Sequence, residues 1–267
     1  MPFVYYVPSM EILCTNDDGF LSPGLAAAVE VAREFGVVGV AAPSSQKTAA
    51  GRSMAGEKTK PFSTTDLSLP TGGVRVHHLE GTPAFVVRHA LATVFRGRKF
   101  DLAISGINYG ENLGFDVGTS ATVGAAMEAA VKGIPAIAVS IQTPLDGHRT
   151  YGRMDWSATQ FFLRSFIRRI MDRGGFSGFD VLKIDVPMSA GPETPWELCR
   201  LHPGPYYSAR LRRQSDDAVF ADSELYVDTA RFGPGTDAHV LAVENKVAVV
   251  PLVLDWTARE TDGFFSD

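Results

Sequence analysis

The chain has 267 residues, 45% of them apolar and 21% charged, with 30 acidic against 25 basic side chains and a formal charge of −5. This composition fits a folded chain with one sizeable core; it excludes disordered and fibrous classes and any protein held to nucleic acid or anionic lipid by its bulk field. Only Cys14 and Cys199 occur, far apart, so neither a disulfide framework nor a thiolate metal site is expected, and a reducing cytoplasm is the expected compartment.

The opening MPFVYYVPSM lacks a basic segment and a long apolar stretch, so it reads as a short extra strand or an upstream extension rather than a signal peptide. No apolar run reaches the ~18 residues of a membrane helix. Glu11 to Thr15 predicts a strand that ends in the polar string Asn16-Asp17-Asp18-Gly19. Ser22-Pro23 supplies an N-cap and a proline at the first helical position, and Leu25, Ala28, Val29 and Ala32 follow at helical spacing until Gly36. Val37 to Ala42 is an apolar run suited to a parallel strand covered on both faces. A polar loop from Ser44 to about Thr65 follows, long enough to suggest a functional role.

The pattern then repeats. Val74 to Leu79 predicts a strand, Thr82-Pro83 a helix start, and Asp101 to Ile107 another strand. Ser120 caps a small-residue helix, Pro135 to Ile141 is a strand, Asp155 opens a longer helix, and Val181 to Val186 is a strand again. Strands alternating with 10–15-residue helices define βαβ units, an α/β class with a mainly parallel sheet and helices on both faces. After Pro187 proline and glycine become frequent and helical periodicity vanishes, leaving extended segments at Leu225 to Asp228 and Val247 to Leu254. Residues 10–187 are therefore expected to form the core, and residues 188–267 an extended β-hairpin arm that lies on the core or reaches a second subunit.

In open parallel sheets ligands bind beyond the carboxyl ends of strands. Two loops there carry chemistry. Asp17 and Asp18 are adjacent carboxylates that repel each other, so they are either solvated in an Asx turn with Gly19 or neutralised by a cation; oxygen ligands suit Mg²⁺, Mn²⁺ or Ca²⁺ better than zinc. The second loop runs from Ser105 to Ser120. Gly106, Gly110, Gly114 and Gly118 allow close backbone approach, and Ser120 and Thr122 stand at a helix N-terminus, which favours an anion. A cation site beside an anion cradle implies phosphoryl chemistry. There is no GxGxxG after the first strand, no GxxxxGK[ST], no HExxH and no GxSxG, and the six histidines show no metal-ligand spacing beyond His77-His78, which alternate across a strand. Lys47, Arg52, Lys58 and Lys60 in the long loop read either as phosphate-steering or as simply solvated.

The blocks ILCTNDDGFLSPG, AAPSSQKTAAGRS, GTPA, DLAISGINYGENLGFDVGTSATVGAAMEAA, GIPAIAVS and TDAHVLAVENKVAVVPL resemble, in order, those of the survival protein SurE family of metal-dependent nucleotidases and acid phosphatases. The resemblance runs from about Met10 to Leu252. It implies a Rossmann-like three-layer core and hydrolysis of nucleoside 5′- or 3′-monophosphates with a divalent cation, Mg²⁺ or Mn²⁺. Asp17, Asp18, Thr48 and Asn108 match the family's cation ligands, with Asp17, Asp18 and Asn108 also catalytic. Asn16, Gly106, Asn112, Asp116, Ser120 and Thr122 are the implied substrate pocket, and the tail resembles an arm exchanged between subunits, so a homodimer or homotetramer is implied. Three positions depart from the usual pattern: Thr48 replaces a serine, Ala121 a glycine, and Phe85 an aspartate.

On this basis water activated by the cation attacks phosphorus, with attack by Asp17 or Asp18 as the rival mechanism. A nucleotide-binding sensor or scaffold that uses the same cradle without hydrolysis is the alternative from another class. Neither stable nucleic-acid binding nor membrane binding is expected.

Overall fold

The computed structural model describes residues 10–144, 154–213 and 215–257. The expected extra strand at the very start, and His148, lie outside the described residues. Strand β1 (Met10–Thr15) leads into helix α1 (Pro23–Arg33), β2 (Gly36–Pro43), β3 (Ser63–Leu67), β4 (Val74–Leu79), α2 (Pro83–Ala92), β5 (Leu102–Tyr109), α3 (Ala121–Val131) and β6 (Ala136–Ile141). Then come α4 (Ser157–Asp172), β7 (Val181–Val186), β8 (Trp196–Leu198), β9 (Tyr207–Leu211), β10 (Ser223–Val227), α5 (Asp237–Ala242) and β11 (Val247–Leu252). Ser22 and Ser120 cap α1 and α3 as expected, their hydroxyls accepting the N–H groups of Gly24 and Val123.

Nine strands form one sheet in the order β3-β4-β2-β1-β5-β6-β7-β11-β8. The six strands from β4 to β7 in that order are parallel, and β3 closes one edge antiparallel to β4. The sheet separates two apolar layers. On one face α1 and α4 bury Leu25, Ala28, Phe162 and Ile167 against Ile12, Cys14 and Ile104. On the other, α2, α3 and α5 bury Val87, Ala125, Ala129 and Leu241 against Leu13, Ala103 and Ala138. Alternate residues of β1 thus serve opposite layers, which is why its run is apolar without a break. The three-layer α/β architecture is the one the sequence predicts.

Three local expectations are corrected. The long polar loop ends in a strand, β3, whose sequence STTDL is polar because its edge position leaves it largely exposed. Helical structure does not vanish after Pro187, since α5 forms behind a Thr236 cap that accepts the His239 N–H. Nor is the stretch past Pro187 all arm: β11 pairs antiparallel with β7 and β8 pairs parallel with β11, extending the main sheet. Among the described residues only β9 and β10 form a separate hairpin. The run Val247–Val250 is buried because it is a sheet strand, covered on both faces.

Candidate active site

Chain order reverses between β1 and β5: from β1 the strands proceed to β2 and β4 on one side, and from β5 to β6 and β7 on the other. Loops leaving two such strand ends diverge and open a crevice. Here they enclose a cavity of about 440 Å³. Asp17, Asp18, Thr48, Asn108, Asn112, Asp116 and Ser120, all singled out in the sequence, line it together.

A bulge directs Asn108. Between Ser105 and Asn108 the pairing of β5 with β6 gains one residue, which re-aims the strand end. The Asn108 amide donates to the Gly110 carbonyl at 2.6 Å, leaving its own carbonyl oxygen as the group to offer a ligand. Gly106 does not line the cavity. It holds φ at +132°, and a Cβ there would lie 2.2 Å from the Val139 carbonyl, so its role is to let β5 and β6 close. Asn16 and Thr122 also stand behind the cavity: Asn16 donates to the Gly19 carbonyl at 2.9 Å, and the Thr122 hydroxyl donates to Asp17 Oδ1 at 2.6 Å. Thr122 therefore orients a carboxylate.

Asp17 and Asp18 are 6% and 2% exposed. Burial raises Asp17 above the ordinary carboxylate range, partly offset by the Thr122 hydroxyl. Burial, and then the Asp17 charge, raise Asp18; the Tyr109 N–H and Gln46 amide pull it back. Two carboxyls raised by desolvation and mutual repulsion are groups that a nearby cation would restore to the charged form. The cavity's charge balance points the same way: Asp17, Asp18, Glu111 and Asp116 line it, and no lysine, arginine or histidine among the described residues does. The donors are all oxygens, and the two carboxylates with Thr48 and Asn108 fit a hard divalent cation. No cluster of three or more His, Cys, Asp or Glu suited to a metal occurs among the described residues, so such a cation would depend on neutral oxygens and water.

Lys47 and Arg52 of the long loop are occupied elsewhere, and neither they nor Lys58 and Lys60 line the cavity. Lys47 pairs with Glu80, and Arg52 with the wholly buried carboxylate of Glu128, which Arg88 also holds at 2.7 Å. This clamp, with the Gly51 N–H on the Thr119 carbonyl at 2.8 Å, ties the loop carrying Thr48 to α3. Phe85 does not line the cavity. Its ring fills the space beside Gly56 and Gly81, which bridge the long loop to the start of α2.

Among the cavity residues that sequence reasoning missed are Gln46, whose amide donates to Asp18, Glu111, which looks like a spacer between Gly110 and Asn112, and Tyr207 and Leu225 of the hairpin. Asp116 links these parts, since its Oδ2 accepts the N–H groups of Tyr206 and Tyr207, each at 3.0 Å. The hairpin is thereby fixed at the cavity wall.

A Rossmann-like sheet with an acidic, oxygen-lined cavity at its switch point defines an open α/β protein with a small-ligand site. The family model described as Survival protein SurE matches residues 12–207, and the chain belongs to that family. Among its relatives, the 5′-nucleotidase SurE of Thermococcus gammatolerans is 39% identical over 94% of this chain and 92% of its own. The 5′-nucleotidase SurE of Thermococcus kodakarensis is 38% identical over 94% and 95%. The crystal structure of the SurE protein from Aquifex aeolicus matches with a TM-score of 0.73 and 26% identity, covering 92% of this chain and 94% of that one. No described helix is long and apolar enough to cross a membrane.

Proposed function

We propose that the chain is a divalent-metal-dependent phosphomonoesterase that hydrolyses nucleoside monophosphates, as a 5′-nucleotidase and with 3′-nucleotidase and generic acid phosphatase activity in the same cavity. The observation that carries this reading is the cavity itself: four carboxyl side chains and no basic one line a space that opens onto the N-terminus of α3. A phosphate dianion is repelled there unless a cation sits between it and the acids. The names of the relatives support the same activity. Asp17, Asp18, Thr48 and Asn108 would hold one Mg²⁺ or Mn²⁺. When bound, the cation supplies a water of lowered pKa and neutralises phosphate charge.

The chain's own residues do the rest. Thr122 fixes the Asp17 carboxylate and Gln46 that of Asp18, which supports a holding role for both over nucleophilic attack. The N-terminus of α3 faces charge that develops on the phosphoryl oxygens, whereas the N–H groups of Tyr109, Gly110, Asn112 and Gly114 in the glycine loop are bonded within the protein and fix the loop's shape. Asn112 donates to Ser140 Oγ at 2.8 Å and so keeps the loop in register with β6. We further propose that the chain works in the cytoplasm as a homodimer or homotetramer with the β9–β10 hairpin packed on a second copy; Leu211 and Leu225, left exposed on it, support that reading.

The test is a panel of nucleoside monophosphates and simple phosphoesters with Mg²⁺, Mn²⁺ or chelator. Phosphate release is expected with either metal and falls by at least about 10³-fold with chelator, the loss of several kcal/mol of charge stabilisation. Saturable nucleotide binding without release under any condition would favour a sensor. A second test concerns Thr48. A Cβ on Gly124 would lie 2.4 Å from the Gly51 carbonyl, so Gly124→Ala must push the Thr48 loop off α3. Overpacking of this kind costs about 1–3 kcal/mol. Calorimetry should show Mn²⁺ binding weakened about tenfold or more with the circular dichroism spectrum unchanged.

A further inference from the structure

Release of a nucleoside from its phosphate leaves a strongly basic alkoxide on the sugar, and that oxygen needs a proton as the P–O bond breaks. The titratable side chains lining the cavity are Asp17, Asp18, Glu111, Asp116, Tyr109 and Tyr207. Asp17 and Asp18 are committed to the cation. Asp116 is taken up by the hairpin, its Oδ2 accepting the N–H groups of Tyr206 and Tyr207. Tyr207 is pushed far above the ordinary phenol range by burial and by Glu111, so it gives up a proton poorly. Glu111 remains. It is 7% exposed, its Oε2 accepts the Thr143 N–H at 3.3 Å, and Tyr207 lines the same cavity.

Its place in the sheet suits the task. Thr143 lies just past β6, and the acidic pair lies just past β1, with β5 between them. Two strand spacings are about 10 Å. The acidic pair and Glu111 thus line one cavity, with room between them for a phosphate and its ester group, and the hairpin residues Tyr207 and Leu225 complete the wall.

We propose that Glu111 is the general acid of this site, protonating the leaving oxygen of the substrate. This rests on the phosphomonoesterase reading above. The oxygen of water bonds to phosphorus as the bond to the ester oxygen breaks. The electron pair of the broken bond stays on the ester oxygen, which takes the Glu111 proton and departs as the nucleoside hydroxyl. The proton lost by the attacking water passes to solvent, and the Glu111 carboxylate regains one from solvent once product has left. Burial keeps Glu111 above the ordinary carboxylate range despite the Thr143 hydrogen bond. The other charged groups around it are Asp185 and Asp237 beneath the loop, which share the Lys183 ammonium, and Asp116, Asp17 and Asp18 in the cavity.

The experiment compares Glu111→Gln with wild type, both loaded with Mn²⁺, on a nucleoside 5′-monophosphate and on p-nitrophenyl phosphate, whose leaving group needs no proton. The expected result is a fall of at least about 100-fold in kcat for the nucleotide, the usual range for a lost general acid, with p-nitrophenyl phosphate turnover within about threefold and KM little changed. An equal fall on both substrates, or none on either, overturns the proposal. Wild type alone gives a second measurement: across a series of alkyl and aryl phosphates, kcat/KM should depend weakly on leaving-group basicity, and a steep dependence overturns it even where Glu111→Gln fails to fold. Wild type that releases phosphate from neither substrate overturns the underlying phosphatase reading instead.

Discussion

Asp17→Asn is expected to lower kcat/KM for phosphate release by about 10³-fold or more while flattening a pH-dependent instability of the metal-free protein. The fall corresponds to about 4 kcal/mol, within what a correctly placed cation contributes to a phosphoryl transition state. The substitution is isosteric, and the Thr122 hydroxyl at 2.6 Å still finds an amide oxygen, so the loss reports charge rather than shape. Stability moves the other way. Both aspartates have folded pKa values above their unfolded ones, Asp17 through burial and Asp18 through burial and then the Asp17 charge. The native state then binds protons more tightly than the unfolded chain, so stability is greatest below the ordinary carboxylate range and falls as pH rises toward the raised values. Thermal melts in chelator from about pH 4 to about pH 8 should show Tm falling for wild type, with Mn²⁺ restoring it most at the upper end. In Asp17→Asn the slope shrinks, because one buried charge is gone and Asp18 loses its repeller, and the Mn²⁺ shift disappears. A wild-type Tm indifferent to Mn²⁺ would refute the assignment of this pair to a cation.

Much of that site was legible because its chemistry is local in sequence. Asn16 to Gly19 leaves one strand end and Asn108 to Ser120 another, and both loops sit where parallel sheets bind ligands. The β and α periodicities of residues 10–187 were equally plain, since two buried faces demand unbroken apolar strands and one-sided helices. Glu111, Tyr206 and Tyr207 were not legible. A buried acid looks the same in sequence as a solvated one, and the hairpin brings Tyr207 to the cavity through the Asp116 carboxylate that binds the N–H groups of both tyrosines. The family resemblance implies a substrate role for Asp116, and the geometry adds a hairpin-anchoring bond set that no spacing rule encodes. The sheet strands β8 and β11 were obscured for a related reason: their partners lie far away in the chain, and the proline- and glycine-rich texture between them resembles an arm.

Lys183 and Asp185 illustrate the limit most sharply, and they carry the second large prediction. Two residues apart on a strand, they share a face, a pattern that usually marks a solvent-facing side. Both are instead buried, 1% and 0% exposed, because the segment with Asp237 covers that face and adds a second carboxylate 3.1 Å from the Lys183 ammonium. Burial alone would lower Lys183, but the two carboxylates outweigh it and hold its pKa above the lysine range; burial pushes Asp185 up to about 6. The carboxylates also grip the glycine-rich cavity loop: Asp185 accepts the Asn112 N–H at 2.7 Å and Asp237 that of Gly114 at 3.0 Å, and Asp237 also accepts the His202 N–H at 2.8 Å. Lys183→Met removes the only charge that offsets this pair among the described contacts, and should cost about 3–5 kcal/mol in urea unfolding, the usual penalty for an uncompensated buried ion. Combining it with Asp185→Asn and Asp237→Asn should recover most of that loss, because neutral amides keep the shape and still accept the loop's N–H groups. Catalysis should not recover fully with stability, because a neutral amide oxygen holds the Asn112 and Gly114 N–H groups more weakly than a carboxylate does. A Lys183→Met protein within about 0.5 kcal/mol of wild type would mean the loop is held by its glycines alone; three backbone N–H groups on two buried carboxylates that share one ammonium require the larger value.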